Sequence, residues 1–222
     1  LYEPVDGWPC WVLSNHDVVR HRTRYGSEAR ARAAATLLLT LWGTPFIYQG
    51  EELGLQDAVV PPERVVDPGG RDGCRAPMPW TDDSHCGWSA DGWLPFAPDA
   101  AELSAARQDG DPGSMLEHYR RLLLLRRQIP ALHRGRMELL DAPDGVLRFR
   151  RFVDADADVG GGTPAAVEVL VNFTDREVPL DGVVARSAHG PWLGGTALPG
   201  AVPAPGAPLA PDEARIVATV RG

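Results

Sequence analysis

Three short stretches of the 222-residue chain hold side chains of the kinds that do chemistry. Asn15-His16-Asp17 follows the apolar run Trp11-Val12-Leu13-Ser14, so an amide, an imidazole and a carboxylate gather where a strand gives way to a loop. In α/β sheets and barrels that edge is where ligands bind. Glu51 and Glu52 follow a second apolar run, Pro45-Phe46-Ile47-Tyr48. One of them is expected to face the same way as Asp17, giving paired carboxylates of the type that cleave glycosides, while the other diverges. Arg71, Asp72 and Arg75 set guanidinium groups in a loop that also carries Trp80, Trp88 and Trp93, whose ring faces suit stacking on sugars. Plainer readings stand beside each of these. Asp17 serves equally as a helix cap or strand-end turn, the tryptophans as core, and the arginines as surface ion pairs contributing little. His16, Asp17 and His21 lack a third ligand cluster at a defined spacing, so neither a metal nor a cofactor is expected.

The elements that must position these groups follow from periodicity and punctuation. A short strand over 11–14, a helix from Glu28 to Trp42 capped by Ser27 and stopped by Gly43 and Pro45, and a strand over 45–48 predict a strand, helix, strand unit with a parallel sheet. Residues 56–113 are rich in Pro, Gly, Asp and Trp without a sustained period, which predicts a functional loop. Ser114-Met115-Leu116-Glu117 reads as a capping box opening a helix whose Leu116, Tyr119 and Leu123 share a face, with Pro130 just beyond its end. After Gly135 the period becomes two: 146–150, 167–171 and 215–220 read as strands, with Asp144-Gly145 as a hairpin turn and loops at 160–162 and 199–211. The expected domains are 1–134, α/β, and 135–222, antiparallel β.

Composition removes several functions. All 22 basic residues are arginine, so Schiff-base and P-loop chemistry, which need a lysine amine, are excluded. Thirty acidic residues give a net charge of -8 with no basic stripe, which argues against nucleic-acid and anionic-membrane partners. Cys10, Cys74 and Cys86 are an odd number at wide spacing, neither a disulfide framework nor a zinc knuckle, and fit a reducing cytoplasm. The longest apolar run, 33–42, is about half of what a bilayer span requires. A start at Leu1 without methionine leads to the expectation of a C-terminal piece of a longer protein.

Three blocks in order, Trp11 to Arg20, Gly43-Thr44-Pro45-Phe46-Ile47-Tyr48-Gln49-Gly50-Glu51-Glu52-Leu53-Gly54, and Arg71-Asp72-Gly73-Cys74-Arg75-Ala76-Pro77-Met78-Pro79-Trp80, resemble the C-terminal part of an α-glucosidase of the α-amylase superfamily, glycoside hydrolase family thirteen. The resemblance spans about residues 8 to 175 and implies the last two βα units of a (β/α)8 TIM barrel, with strands seven and eight at 11–15 and 45–48, followed by a C-terminal antiparallel β-sandwich domain.

It also implies a retaining hydrolase that releases glucose from the non-reducing end of α-linked gluco-oligosaccharides. Asp17 matches the carboxylate that stabilises the transition state, His16 a donor to sugar hydroxyls, and Arg75 an arginine that closes the glucose pocket by pairing with an aspartate from an earlier barrel loop. Asn15, Arg20, Glu51 and Trp80 fall at supporting or subsite positions. The nucleophile and the acid/base lie upstream in this family and are absent here. Glu51 falls in the wrong order to be the acid/base and reads as structural. The isolated chain is therefore expected to be inactive, its partners being the oligosaccharide substrate and the missing N-terminal part of the same barrel. Two other readings compete: a trehalose synthase-like glucosyl transferase or isomerase, and a non-catalytic heavy-chain-type transporter subunit. An intact His16-Asp17 and Arg75 argue against the latter.

Overall fold

The computed structural model describes residues 7–154, 159–160, 163–180, 192–197, 201, 203–204 and 206–219. Along the chain run β1 (Cys10–Val12), α1 (His21–Tyr25), α2 (Glu28–Thr40), β2 (Thr44–Phe46), α3 (Ala105–Gln108), α4 (Met115–Gln128), α5 (Pro130–Arg134), β3 (Arg136–Leu139), β4 (Val146–Phe152), β5 (Ala166–Asn172), β6 (Trp192–Gly195) and β7 (Ala214–Ala218). Single 3₁₀ turns sit at Pro62–Arg64 and Asp72–Arg75. Two compact units result, one of residues 12–31 and 46–119, the other of residues 1–11, 32–45 and 120–222.

The expected strand, helix, strand order is present: β1 and β2 form a two-stranded sheet and α2 joins them in sequence. Gly43, at φ 126, lets these neighbours approach, because a Cβ there would lie 2.5 Å from the Pro9 carbonyl oxygen. Ser27 Oγ accepts the Arg30 N–H at 3.1 Å, as its capping role predicts. The helix ends two residues short of Trp42 for a reason periodicity does not carry. Arg126 donates to the carbonyls of Leu39 (2.8 Å), Leu41 (3.3 Å) and Gly43 (2.7 Å), and Arg151 to that of Thr40 (2.6 Å). A helix leaves its last carbonyls without partners and carries negative partial charge at that end, so two guanidinium groups satisfy both requirements. Burial lowers the pKa of both arginines, and that of Arg151, which Arg126 also repels, falls to about 9. α1 is a further element, one short helix closed by Gly26 in the left-handed region at φ 76.

In the unit of residues 12–31 and 46–119, the long irregular stretch is organised by side chains instead of ladders. Leu53, Leu55, Met78 and Ala97 form its core. The buried Gln108 amide donates to the carbonyls of Leu53 and Leu103, both at 2.9 Å, and accepts the Leu116 N–H at 3.0 Å. Ser114 Oγ accepts from Glu117 N–H at 3.2 Å, the forward half of the expected capping box, while Glu117 Oε1 accepts from the Gly110 N–H at 3.1 Å and Ser114 N–H donates to the Asp111 carbonyl. On α4 Tyr119 is buried as expected, but Leu122 takes the inward place expected of Leu123, which is 38% exposed. Pro130 begins a new helix, α5, at its first position, where the missing N–H costs nothing.

In the other unit the strands form one five-stranded antiparallel sheet in the order β3-β4-β5-β7-β6. All seven residues of the central β5 are buried. Leu170 and Val217 pack with Val178, Leu180 and Leu209, and α5 packs on β4 and β5. Beside the sheet, the described residues contribute the single bridge Val178 to Leu209 where a sandwich calls for a second sheet. Alternation fixes which side of a strand is apolar; it does not say whether a helix, a loop or another sheet covers that side. Asp144-Gly145 forms the hairpin turn, as expected, with Val146 N–H closing on the Pro143 carbonyl, at the end of a six-residue connection from β3 to β4. Parts of the loops at 160–162 and 199–211, and Val220 of the last expected strand, lie outside the described residues.

Candidate active site

The turn after β1 is built by its own side chains. Asn15 Oδ1 accepts the Asp17 N–H at 2.8 Å, and Asn15 bridges to Val18, so the side chains of His16 and Asp17 project from a closed turn. His16 Nε2 lies 3.2 Å from Asp17 Oδ2, and the Asp17 side chain is 50% exposed. Ser14, at the entry to the turn, is buried.

Onto this turn the loop of residues 64–78 brings two guanidinium groups. Arg71 Nη1 donates to Asp17 Oδ1 at 2.8 Å, while its Nε and Nη2 grip both oxygens of Asp67 at 2.8 and 2.7 Å. Arg75 Nε donates to the His16 carbonyl at 2.9 Å, and its Nη2 lies 3.5 Å from Asp17 Oδ1. Asp72 orders this arrangement from behind: its buried Oδ2 accepts the N–H groups of Val66 and Asp67 at 2.7 and 2.9 Å. Hydrogen bonds from Arg71 hold the Asp67 carboxyl well below the usual carboxylate range, and Asp67 and Asp17 raise the Arg71 guanidinium in turn. Asp67 and Asp17 thus share two arginines, and one Asp17 oxygen is oriented while half of the side chain stays open to solvent.

The sequence expectations divide here. Asn15, His16, Asp17 and Arg75 are brought together. Within this chain Arg75 meets the His16 carbonyl and lies 3.5 Å from Asp17 Oδ1. Arg71, expected only as one guanidinium of that loop, makes the shorter bond to Asp17, and Asp67 is an addition to the expected residues. The signal was present: Asp67-Pro68-Gly69-Gly70-Arg71 is a turn that returns a guanidinium to a carboxylate four residues earlier. Arg20 is fully buried beneath this region. Its guanidinium lies 5.0 Å from the centre of the Tyr48 ring and donates to the Gln49 carbonyl at 2.7 Å, and burial lowers its pKa.

The expectation that one of Glu51 and Glu52 pairs with Asp17 is overturned. Glu51 is buried, its Oε1 accepting from Tyr119 Oη at 3.3 Å and its Oε2 lying 3.6 Å from His21 Nδ1. Glu52 turns back to accept the Gly50 N–H at 2.8 Å. The reason is the tight bend at Gly50, where φ is 88 and a Cβ would lie 2.7 Å from Leu55, so the chain folds in on itself directly after Gln49. His21 is likewise an internal residue. Trp80 is 51% exposed, and among the described residues no hydrogen bond or ion pair joins it to the Asp17 cluster. Trp88 donates its Nε1–H to the Met78 carbonyl at 2.7 Å, and Trp93 is exposed.

The alpha-amylase catalytic-domain family matches residues 3–135. A probable alpha-glucosidase of Rhizobium meliloti (strain 1021) is 43% identical over 204 aligned residues covering 83% of this chain and 35% of the relative. An oligo-1,6-glucosidase of Parageobacillus thermoglucosidasius is 31% identical, with 77% and 35% covered. Among solved structures, the alpha-glucosyl transfer enzyme XgtA superposes with a TM-score of 0.75 at 35% identity, covering 95% of this chain and 40% of XgtA. A single-substitution mutant of the trehalulose synthase MutB in complex with Tris gives 0.78 at 30% identity, covering 96% and 43%. The chain spans about a third of the length of the curated relatives it matches.

Proposed function

Because the chain belongs to the alpha-amylase catalytic-domain family, we propose that it forms the C-terminal part of a retaining glycoside hydrolase that releases glucose from the non-reducing end of α-linked gluco-oligosaccharides. The observation that carries this reading is the Asp17 carboxylate, oriented by Arg71 at 2.8 Å and half open to solvent. A carboxylate fixed in this way accepts hydrogen bonds from sugar hydroxyls without reorganising. Those bonds strengthen as the ring moves toward an oxocarbenium ion, which lowers the barrier by differential binding. His16 donates to neighbouring hydroxyls, and Arg75 holds the turn through the His16 carbonyl. The nucleophile and the acid/base are supplied from residues beyond this chain, so the chain alone is inactive. The boundary between barrel and β-domain at 134/135 is supported by the family match ending at 135 and by β3 beginning at Arg136. Three unpaired cysteines support a cytoplasmic location, and no described helix is long and apolar enough to cross a membrane.

The likeness to a glucosyl transfer enzyme and a trehalulose synthase favours a second reading, in which the glucosyl group passes to a sugar acceptor instead of water. Product analysis of the complete enzyme on maltose, isomaltose and nitrophenyl α-glucoside distinguishes the two. Free glucose as the main product supports hydrolysis, and a dominant disaccharide isomer supports transfer. Turnover by the isolated 222-residue chain would overturn the assignment of roles.

A further inference from the structure

Behind the Asn15 to Asp17 turn lies a chain of polar groups to which the proposed chemistry gives no part. Ser14, His21, Glu51 and Tyr119 are each at most 2% exposed. Ser14 Oγ accepts the His21 backbone N–H at 2.9 Å and is hydrogen-bonded to His21 Nδ1 at 2.9 Å. The same Nδ1 lies 3.6 Å from Glu51 Oε2, and Glu51 Oε1 accepts from Tyr119 Oη at 3.3 Å. Burial and the adjacent carboxylate raise the Tyr119 pKa, keeping the phenol a donor. Four segments therefore converge: the end of β1, α1, the bend after β2 and the start of α4.

We propose that His21 and Glu51 are positioning residues that set the Asp17 carboxylate by anchoring Ser14, three residues before it. This rests on the reading of Asp17 given above. Burying an imidazole beside a carboxylate is costly, and apolar residues of similar size would pack this space at lower cost. Hydrogen bonds, however, fix orientation, which apolar contacts do not. Ser14 is held from within by His21, and Asp17 is held from the other side by the Asn15 side chain. The turn is thus constrained at both ends before any ligand arrives. Such preorganisation matters because a misplacement of about 1 Å in a reacting group costs roughly a hundredfold in rate. Glu51 Oε2, 3.6 Å from His21 Nδ1, lies beyond hydrogen-bond distance and acts on the imidazole by proximity and charge, while Tyr119 holds the other carboxylate oxygen.

The test has two arms. In the complete enzyme, His21→Ala is expected to lower kcat about a hundredfold, and the nearly isosteric Glu51→Gln about tenfold, each with KM within about twofold. A lowered melting temperature with kcat unchanged would make the residues merely structural and overturn the proposal. In the same complete enzyme, hydrogen exchange at the Asp17 amide is expected to quicken about tenfold in His21→Ala while Val169 in β5 is unaffected. Glu51→Gln gives the same comparison should His21→Ala fail to fold. Unchanged exchange at Asp17 overturns the proposal whatever the enzyme does. Absence of turnover by the wild-type complete enzyme would instead sink the glycosidase reading, and the exchange arm would still decide the anchoring.

Discussion

Asp17→Asn separates a sugar-gripping carboxylate from a strand-end cap. The substitution keeps size and shape, and the turn survives it, because Asn15 accepts from the Asp17 backbone N–H and not from the side chain. Asparagine retains an acceptor for Arg71, and Arg71 keeps both oxygens of Asp67, so no guanidinium is left bare. What is lost is charge. With the Asp17 side chain 50% exposed, its pairs with Arg71 and Arg75 are worth about 0–1 kcal/mol each, so the expected loss of stability is under about 2 kcal/mol. The rate has more at stake. An oriented charge that binds the transition state better than the ground state is comparable to an oxyanion-hole donor, worth on the order of a hundredfold in kcat, or about 2.7 kcal/mol. KM should change much less than kcat, since only differential binding accelerates the chemical step. Steady-state kinetics of the complete enzyme on nitrophenyl α-glucoside, with a thermal melt of the same protein, measures both quantities. Near-normal kcat would refute the reasoning and leave Asp17 a structural residue, since asparagine caps a helix about as well as aspartate.

Two further outcomes follow from buried charge. Arg151→Met should destabilise the chain by about 3–5 kcal/mol in urea unfolding, because it orphans the carbonyls of Thr40, Gly135 and Arg136, against which relief of a desolvated charge is the smaller term; a change under about 1 kcal/mol would refute the capping of α2. Burial raises the Glu52 carboxyl above its ordinary value, so the stability it contributes is complete below about pH 4.5 and is lost as pH rises through the folded-state pKa. Glu52→Gln should therefore melt higher than wild type at pH 7, with the gap closing toward pH 4; a gap that does not depend on pH would contradict this. Loss of stability on acidification through protonation of Asp67 has the opposite sign and is common to both proteins, so it cancels in the comparison.

Much of the chain was legible before folding. Ser27 and Gly43 mark α2, Ser114 opens α4, and alternation marks β4 and β5, because caps, breakers and two-residue periodicity act within a few residues. The site's centre was legible too: Asn15-His16-Asp17 forms its turn through its own side chains. What the sequence left open depends on which surface covers which. Whether a helix or a second sheet lies on β5, where α2 ends, and which leucine of α4 faces inward are decided by contacts between residues far apart, such as Arg126 and Arg151 on the carbonyls of residues 39–43. The carboxylates illustrate the same divide. Glu51 and Asp17 are both acidic residues at strand ends and look alike in sequence. The bend at Gly50 sends Glu51 into the interior beside His21 and Tyr119, while Asp17 stays half open under two arginines. Charge type is a local property of the chain; exposure and partners, which decide what a carboxylate can do, are set by the tertiary fold.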